Sequence, residues 1–302
     1  MKRVLGGVVV AAALSGSALA ADLPSRTYSK APATADPTYN WSGWYGGLNA
    51  GWVGGAGSAS NNASIVSTSN VPENAEAMAR GATNTAGASS GFIGGGQFGY
   101  NYQFSHLFVA GFEADIQGLT GTQKRSSSAV PLMLPDGEGG EELDGTFVTH
   151  STTRRGLSYL GTLRARIGVL VAPSFLLYAT GGLAYGGAKA DTTILQSATD
   201  TDSPPPPTLT SGSFSQTRVG YAVGAGGEWM FSSNWSAKLE YLYYDLGSAT
   251  YATGGIANDV THTSLPGTGV DAVATSSKVR FNDNIVRVGV NYHFGSPTIS
   301  QY

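Results

Sequence analysis

GFIGGGQFGYNYQF, residues 91–104, is the stretch that decides the fold. Phe92, Gly94, Gly96, Phe98, Tyr100, Tyr102 and Phe104 alternate with Ile93, Gly95, Gln97, Gly99, Asn101 and Gln103. Successive side chains of an extended chain point to opposite faces, so strict alternation over this length predicts a strand. One face is aromatic and the other small and polar.

The same rule predicts seven more strands. They fall at about 43–53 (Trp44, Leu48, Ala50, Trp52 on the apolar face), 107–119 (Phe108, Ala110, Phe112, Ala114, Ile116) and 156–170 (Leu157, Tyr159, Leu163, Ala165, Ile167, Val169). Further on come 176–186 (Leu177, Ala179, Leu183, Tyr185), 218–230 (Tyr221, Val223, Ala225, Trp229), 236–247 (Ala237, Leu239, Tyr241, Tyr243) and 284–294 (Val286, Val288, Val290, Tyr292, Phe294). Short turns sit near Ser105-His106, Ala172-Pro173-Ser174 and Ser232-Ser233-Asn234. Long connections, without periodicity, occupy 54–90, 120–155, 187–217 and 248–283.

Short turns at one end and long loops at the other are the pattern of an outer-membrane barrel. The expected fold is all-β: a transmembrane antiparallel up-and-down β-barrel of eight strands, with short periplasmic turns and long extracellular loops. A soluble sandwich would need its polar faces outward. Here those faces are rich in glycine, while Trp, Tyr and Phe crowd the apolar faces.

Composition points the same way. Charged residues are 12% of the chain, about half the share in soluble domains, as expected where a surface meets lipid. The 43 glycines argue against a helical protein. After the N-terminal region no apolar run approaches the roughly 18 residues a spanning helix needs. There is no cysteine, hence no disulfide framework and no cysteine metal site. Lys2 and Arg3, an apolar stretch from Val4 to Leu14 and Ala18-Leu19-Ala20 form a secretory signal. The expected organisation is a signal peptide at 1–20, a flexible segment at 21–40, the barrel at 41–294 and a C-terminal extension at 295–302. Without Lys2 and Arg3 there remain 15 basic and 20 acidic residues, an excess that speaks against nucleic acid as a partner.

The polar faces predict a lumen lined by Glu113, Asp115, Arg164, Arg166, Glu228, Lys238, Glu240 and Arg287. An eight-stranded barrel is just wide enough for side chains to fill it. Charges sealed there must be matched, because a lone buried ion is costly. Four acids and four bases predict a packed ion-pair network. A hairpin centred on Ser233 sets Glu228 opposite Lys238, which predicts an ion pair between them.

Other motifs carry less. Gly94, Gly96 and Gly99 match a dinucleotide-binding spacing, but that chemistry needs a helix N-terminus after the strand, and here the pattern lies inside a strand. His106, His150, His262 and His293 are too widely spaced for a metal cluster. His150-Ser151 has no nucleophile elbow beside it. The acidic loop Asp136, Glu138, Glu141, Glu142 and Asp144 offers oxygen ligands for Ca²⁺, but without EF-hand spacing it reads as a solvated charge run. No catalytic residue, metal site or cofactor is expected.

Trp41-Ser-Gly-Trp-Tyr-Gly-Gly-Leu-Asn-Ala-Gly51, with Ala20-Ala-Asp-Leu-Pro24, resembles the first strand and mature start of the porin-like, opacity-type outer-membrane surface-antigen barrels of the brucella and rhizobium group. Gly111-Phe-Glu-Ala-Asp-Ile-Gln117, Gly161-Thr-Leu-Arg-Ala-Arg-Ile-Gly168, Tyr178-Ala-Thr-Gly-Gly-Leu-Ala184, Gly224-Ala-Gly-Gly-Glu-Trp229, Lys238-Leu-Glu-Tyr-Leu-Tyr-Tyr-Asp-Leu-Gly247 and Arg287-Val-Gly-Val-Asn-Tyr-His-Phe294 extend the resemblance through the strands. It implies an abundant, surface-exposed, antigenic outer-membrane protein. It also implies a terminal aromatic read by the barrel-assembly machinery, for which Phe294 and Tyr302 are both candidates. The expected role is structural and surface-exposed, in the outer membrane. The alternatives are a small passive diffusion channel and a surface adhesin or ligand-binding barrel. Expected partners are outer-membrane lipid and lipopolysaccharide, the assembly machinery, and host or envelope components met through the loops.

Overall fold

Alternation becomes a closed ladder in the computed structural model, which describes residues 39–65, 84–86, 90–120, 124–135, 143–200, 207–260 and 269–294. The expected signal peptide at 1–20, most of the segment 21–40 and the extension 295–302 lie outside the described residues. The strands are β1 (Gly43–Gly54), β2 (Ala59–Ile65), β3 (Asn84–Ala86), β4 (Ser90–Gln103), β5 (Phe108–Thr120) and β6 (Lys124–Pro135). They continue as β7 (Leu143–Ala172), β8 (Phe175–Asp200), β9 (Thr208–Met230), β10 (Trp235–Val260) and β11 (Gly269–His293).

Eight of these form a ring of antiparallel neighbours, β1-β4-β5-β7-β8-β9-β10-β11, which β1 closes by pairing with β11. The ring is staggered. Stepping across it from Trp44, through Tyr100, Phe112, Ala165, Gly181, Val223, Tyr243 and Asn284, returns to β1 at Gly54, ten residues on. Ten residues at about 3.3 Å along the strands, against eight spacings of about 4.8 Å around them, tilt the strands by about 40°. Glycines fit three large rings to this wall. Gly99, Gly161 and Gly226 lie directly opposite Tyr45, Tyr185 and Tyr178, and a Cβ at any of them would collide with that ring.

Around the ring the predicted apolar faces point outward: Trp44, Leu48, Phe92, Ile116, Leu183, Val219 and Val288 are all exposed, Leu48 to 73%. An apolar belt of this kind is stable only against hydrocarbon. At one end the hairpins turn tightly at 104–107, 173–174 and 231–234.

At the other end the structure corrects the sequence reading. The spans 120–155, 187–217 and 248–283, and part of 54–90, are not irregular loops in their described parts but continuations of the strands. β2 extends the edge of β11, and β6 extends that of β7. Both faces of these extensions are largely polar, so hydrophobic alternation is missing although the geometry alternates. Among the described residues the β9–β10 ladder stops at Tyr221 and Asp245. Above it the described ladders are β3-β2-β11-β10 and β6-β7-β8-β9, with β9 and β10 still side by side: a Cβ at Gly212 would collide with Ala252 O. Hydroxyl and amide side chains clasp them. Asn61 donates to Ser151 Oγ at 2.6 Å, and Thr192 Oγ1 lies 3.0 Å from Ser277 Oγ and 2.8 Å from Tyr251 Oη.

A second correction concerns Leu157, expected outward and found buried inside. One extra residue in β7 between Leu157 and Leu160 shifts the register against β8 and inverts the faces beyond it.

Candidate functional site

The interior of the ring is layered. Nearest the short turns, Trp41, Val109, Leu170, Leu176, Tyr178 and Met230 form an apolar cluster. The Trp41 indole N–H donates to Pro173 O at 3.0 Å, tying the chain entering β1 to the β7–β8 turn. Towards the extensions a larger apolar cluster includes Val53, Ile93, Leu157, Leu242, Phe281 and Ile285. Between the two lie the charges.

All eight charged residues expected in the lumen are there, and all are buried. Even positions on β7, β9 and β10 and odd positions on β5 and β11 face inward, so five strands deliver them to one layer. Glu113 is the hub. Its carboxylate meets Arg164 at 2.6 Å, Lys238 at 2.7 Å and Arg287 at 3.3 Å, and accepts from the Tyr45 hydroxyl at 2.9 Å. Asp115 takes Arg164 at 2.8 Å and Arg287 at 2.9 Å. Glu240 takes the same two guanidiniums at 3.1 and 2.5 Å, and the Tyr178 hydroxyl at 3.1 Å. Arg166 reaches Glu228 at 2.7 Å while its guanidinium lies 4.1 Å above the Tyr178 ring. Each charge is therefore held by partners on several strands, the condition under which buried ions are tolerated.

The expected Glu228–Lys238 ion pair is not made. The register is as derived, Lys238 directly opposite Glu228. The side chains diverge: Lys238 crosses the lumen to Glu113, which already gathers three arginines. Glu228 is instead satisfied by Arg166, Ser236 Oγ at 2.6 Å and Asn291 Nδ2 at 2.7 Å. Cross-strand proximity fixed the neighbours, but a long lysine in a closed barrel can also choose the opposite wall.

Sequence reasoning missed the polar residues that complete this layer: Tyr45, Tyr178, Ser236, Asn291 and His293. Parity on β1, β8, β10 and β11 held the signal for each, since all sit on inward positions. It also missed a Ser–His–carboxylate group. Ser236 Oγ lies 3.0 Å from His293 Nε2, and Glu228 Oε1 lies 3.6 Å from the same nitrogen. In a hydrolytic triad the serine and the carboxylate address opposite imidazole nitrogens. Here they share one, the three residues are buried, and the His293 ring is walled by Trp41 and Tyr45. This arrangement positions a lumen side chain rather than activating a nucleophile.

His106 lies exposed in a short turn and His150 faces outward on β7, whereas His262 lies outside the described residues. Of the acidic loop, Asp136, Glu138, Glu141 and Glu142 lie outside them too, and Asp144 falls within β7. Among the described residues no three His, Asp or Glu side chains gather as a metal-ligand set. Of the two terminal aromatics, Tyr302 lies outside the described residues. The Phe294 N–H donates to Trp44 O at 2.9 Å, so Phe294 sits at the closing seam of the barrel, its ring exposed beside Phe98 and Tyr292.

Comparison with known proteins adds a family. The profile of the outer membrane protein beta-barrel domain matches residues 7–294. The 31 kDa outer-membrane immunogenic protein of Brucella melitensis is 33% identical over 291 residues, 94% of this chain and 97% of the relative. The 22 kDa outer membrane protein of Rhizobium leguminosarum bv. viciae is 36% identical over 107 residues, 33% of this chain and 42% of the relative. Among solved structures, the outer membrane protein OprG of Pseudomonas aeruginosa aligns at a TM-score of 0.42 and 14% identity, covering 86% of this chain and all of that one.

Proposed function

The chain belongs to the outer membrane protein beta-barrel domain family, and from that premise we propose that its barrel is a sealed anchor carrying a rigid head outside the cell. It is an integral outer-membrane β-barrel, a structural and surface-exposed protein of the envelope. The observation that carries the sealed reading is the layering of the lumen: matched, cross-bonded charges lie between two apolar clusters. A conducting path would need a continuous wet wall, and both clusters interrupt it. The strand extensions, clasped across the interior, support the rigid head, and the name of the Brucella relative supports its exposure to a host. We read the chain as non-catalytic, since the Ser–His–carboxylate group among the described residues is enclosed and wrongly disposed. Phe294, at the seam, is our candidate for the aromatic that the assembly machinery reads.

Planar-bilayer recording of the refolded protein tests the seal. Traces free of stable conductance steps are expected. Reproducible porin-sized steps would overturn it and favour the small diffusion channel.

A further inference from the structure

The outward side chains of β11 form a depth scale. Val290, Val288 and Val286 are exposed in the apolar belt. The next two outward residues, Asn284 and Asn282, bond the tyrosines that edge the belt. Tyr241 Oη donates to Asn284 Oδ1 at 2.6 Å, and Asn282 Nδ2 donates to Tyr243 Oη at 3.0 Å. The two outward residues after those are Arg280 and Lys278, both exposed. One strand face thus passes from hydrocarbon to amide to cation.

The neighbouring strands add to the cationic level. Where the β9–β10 ladder ends, β10 carries one extra residue between Asp245 and Ser248, with Gly247 at a φ of 77°. Arg218 of β9 fills that break, donating to Leu246 O at 3.3 Å and Ser248 O at 2.7 Å. Ser248 is the direct partner of Arg280, and Thr250 that of Lys278. The Arg218 guanidinium, entering the break from an even, inward-parity position of β9, thus ends one strand from Arg280, and Lys278 stands two residues, about 7 Å, beyond Arg280. Among the described residues one carboxylate is held by this cluster: Asp245, nearly enclosed, meets Arg280 at 2.6 Å. A chain whose formal net charge is −3 concentrates a surplus of positive charge at this level.

An exposed cationic cluster just above a hydrocarbon belt stands where anionic lipid headgroups lie, and the low dielectric beneath strengthens its attraction for them. Arginine and lysine together offer the donors that phosphate takes up. We propose that Arg218, Lys278 and Arg280 bind the phosphate groups of an outer-leaflet glycolipid, docking its acyl chains against Tyr221, Tyr243 and Val286. The inference rests on the outward orientation of the head. It is tested in detergent, where orientation plays no part, so a failure there counts against the patch alone.

The experiment titrates the folded, detergent-solubilised protein with lipopolysaccharide, with the same lipopolysaccharide after enzymatic dephosphorylation, and with phosphatidylcholine, reading bound lipid by native mass spectrometry. Retention should require phosphate and weaken as salt rises. Each surface cation near anionic lipid contributes about fivefold, so Lys278→Gln with Arg280→Gln should weaken lipopolysaccharide binding roughly 25-fold. Lys278→Gln alone should weaken it about fivefold, which keeps the test alive if the double variant folds poorly. Arg154→Gln, exposed on β7 four strands from β11 in either direction around the ring, should bind as the parent does. Equal binding of the dephosphorylated lipid, or parental affinity in the Lys278→Gln protein, would overturn the proposal.

Discussion

Replacing Glu113 by Gln should be among the most damaging single changes in the barrel, and its damage should be repaired by removing Lys238. Glu113 holds Lys238 at 2.7 Å, Arg164 at 2.6 Å and Arg287 at 3.3 Å. At 2.7 Å and an effective dielectric of about 20, one such contact is worth about 6 kcal/mol before desolvation. Desolvation takes back most of that, and loss of one buried partner typically costs about 3–5 kcal/mol because an unmatched charge remains. Lys238→Met alone should cost a similar amount. The double variant restores neutrality and should lose less than the two singles together, with a coupling of about 2–3 kcal/mol. Glu228 is the internal control. It faces Lys238 across the hairpin but bonds Arg166, Ser236 and Asn291. Its cycle with Lys238 should give a coupling below about 1 kcal/mol. Urea unfolding in lipid, followed by tryptophan fluorescence, reads both cycles. With m-values of about 2–3 kcal/mol/M, the Glu113→Gln midpoint should fall by roughly 1–2 M. Stronger coupling for Glu228 with Lys238 than for Glu113 with Lys238 would refute the lumen geometry and reinstate the simple hairpin pair.

Three further outcomes are expected. External protease on intact cells should spare the backbone at Lys189, Arg218, Lys278 and Arg280, whose residues are ladder-paired with Ser215, Gly186, Ser60 and Ser248; cuts in the 104–107 or 231–234 turns would mean that the topology is inverted. Gly57→Ala places a Cβ against the Arg155 guanidinium at a φ of 55°, which should destabilise the β1–β2 connection by about 2 kcal/mol and speed amide exchange at Ala56 roughly 30-fold; unchanged exchange would dismiss the clash. Burial holds the Asp283 carboxyl above its ordinary range, opposed by the Ala56 N–H and by Arg155. A raised folded-state pKa stabilises below the ordinary carboxylate value and is lost as pH rises through the raised one. Protection factors in the head should therefore fall as pH rises above the ordinary carboxylate value of about 4, and Asp283→Asn should flatten that profile; an unaltered profile would place the titration elsewhere.

The membrane-spanning part of this fold was legible because two solvents act on it. Lipid outside demands apolar residues and the filled lumen demands small or paired polar ones, so period-two alternation stands out in 91–104 and 284–294. The inward charges came from the same parity. Their pairing did not, because parity gives a residue's wall and height but not which wall a five-atom side chain prefers. Lys238 chose the carboxylate that its own register leaves across the lumen. The strand extensions were illegible for a related reason. On β7 and β8, buried Thr149, Ser151, Thr153 and Thr192 alternate with exposed His150, Arg154 and Asp191. With water on one side and hydroxyl packing on the other, a polar residue suits either face and periodicity vanishes.

That loss of signal makes the bulges matter. Of the five register shifts among the described residues, Leu134/Pro135, Leu157/Leu160, Asp245/Ser248 and Ala252/Gly254 lie at or above the upper tyrosines and Leu170/Ala172 lies at the β7–β8 turn, so none interrupts the belt. Within the belt a one-residue slip would turn every apolar side chain into the charged lumen and every charge toward lipid, so the ladder there has no freedom. Above it, the same slip exchanges polar for polar and costs little. Its benefit is local: at Asp245/Ser248 it ends the β9–β10 ladder and frees Leu246 O and Ser248 O for Arg218. The cationic patch and the clasped head both begin at that break. A variant that deletes Gly247 should restore continuous β9–β10 pairing and displace Arg218 from the break, while Ser248 stays outward and Ala249 inward, because removing the extra residue makes the alternation continuous. The belt and lumen below should keep their fold, read as an unchanged difference in gel mobility between heated and unheated protein. Collapse of the whole barrel on that deletion would show that the break supports the belt rather than merely following it.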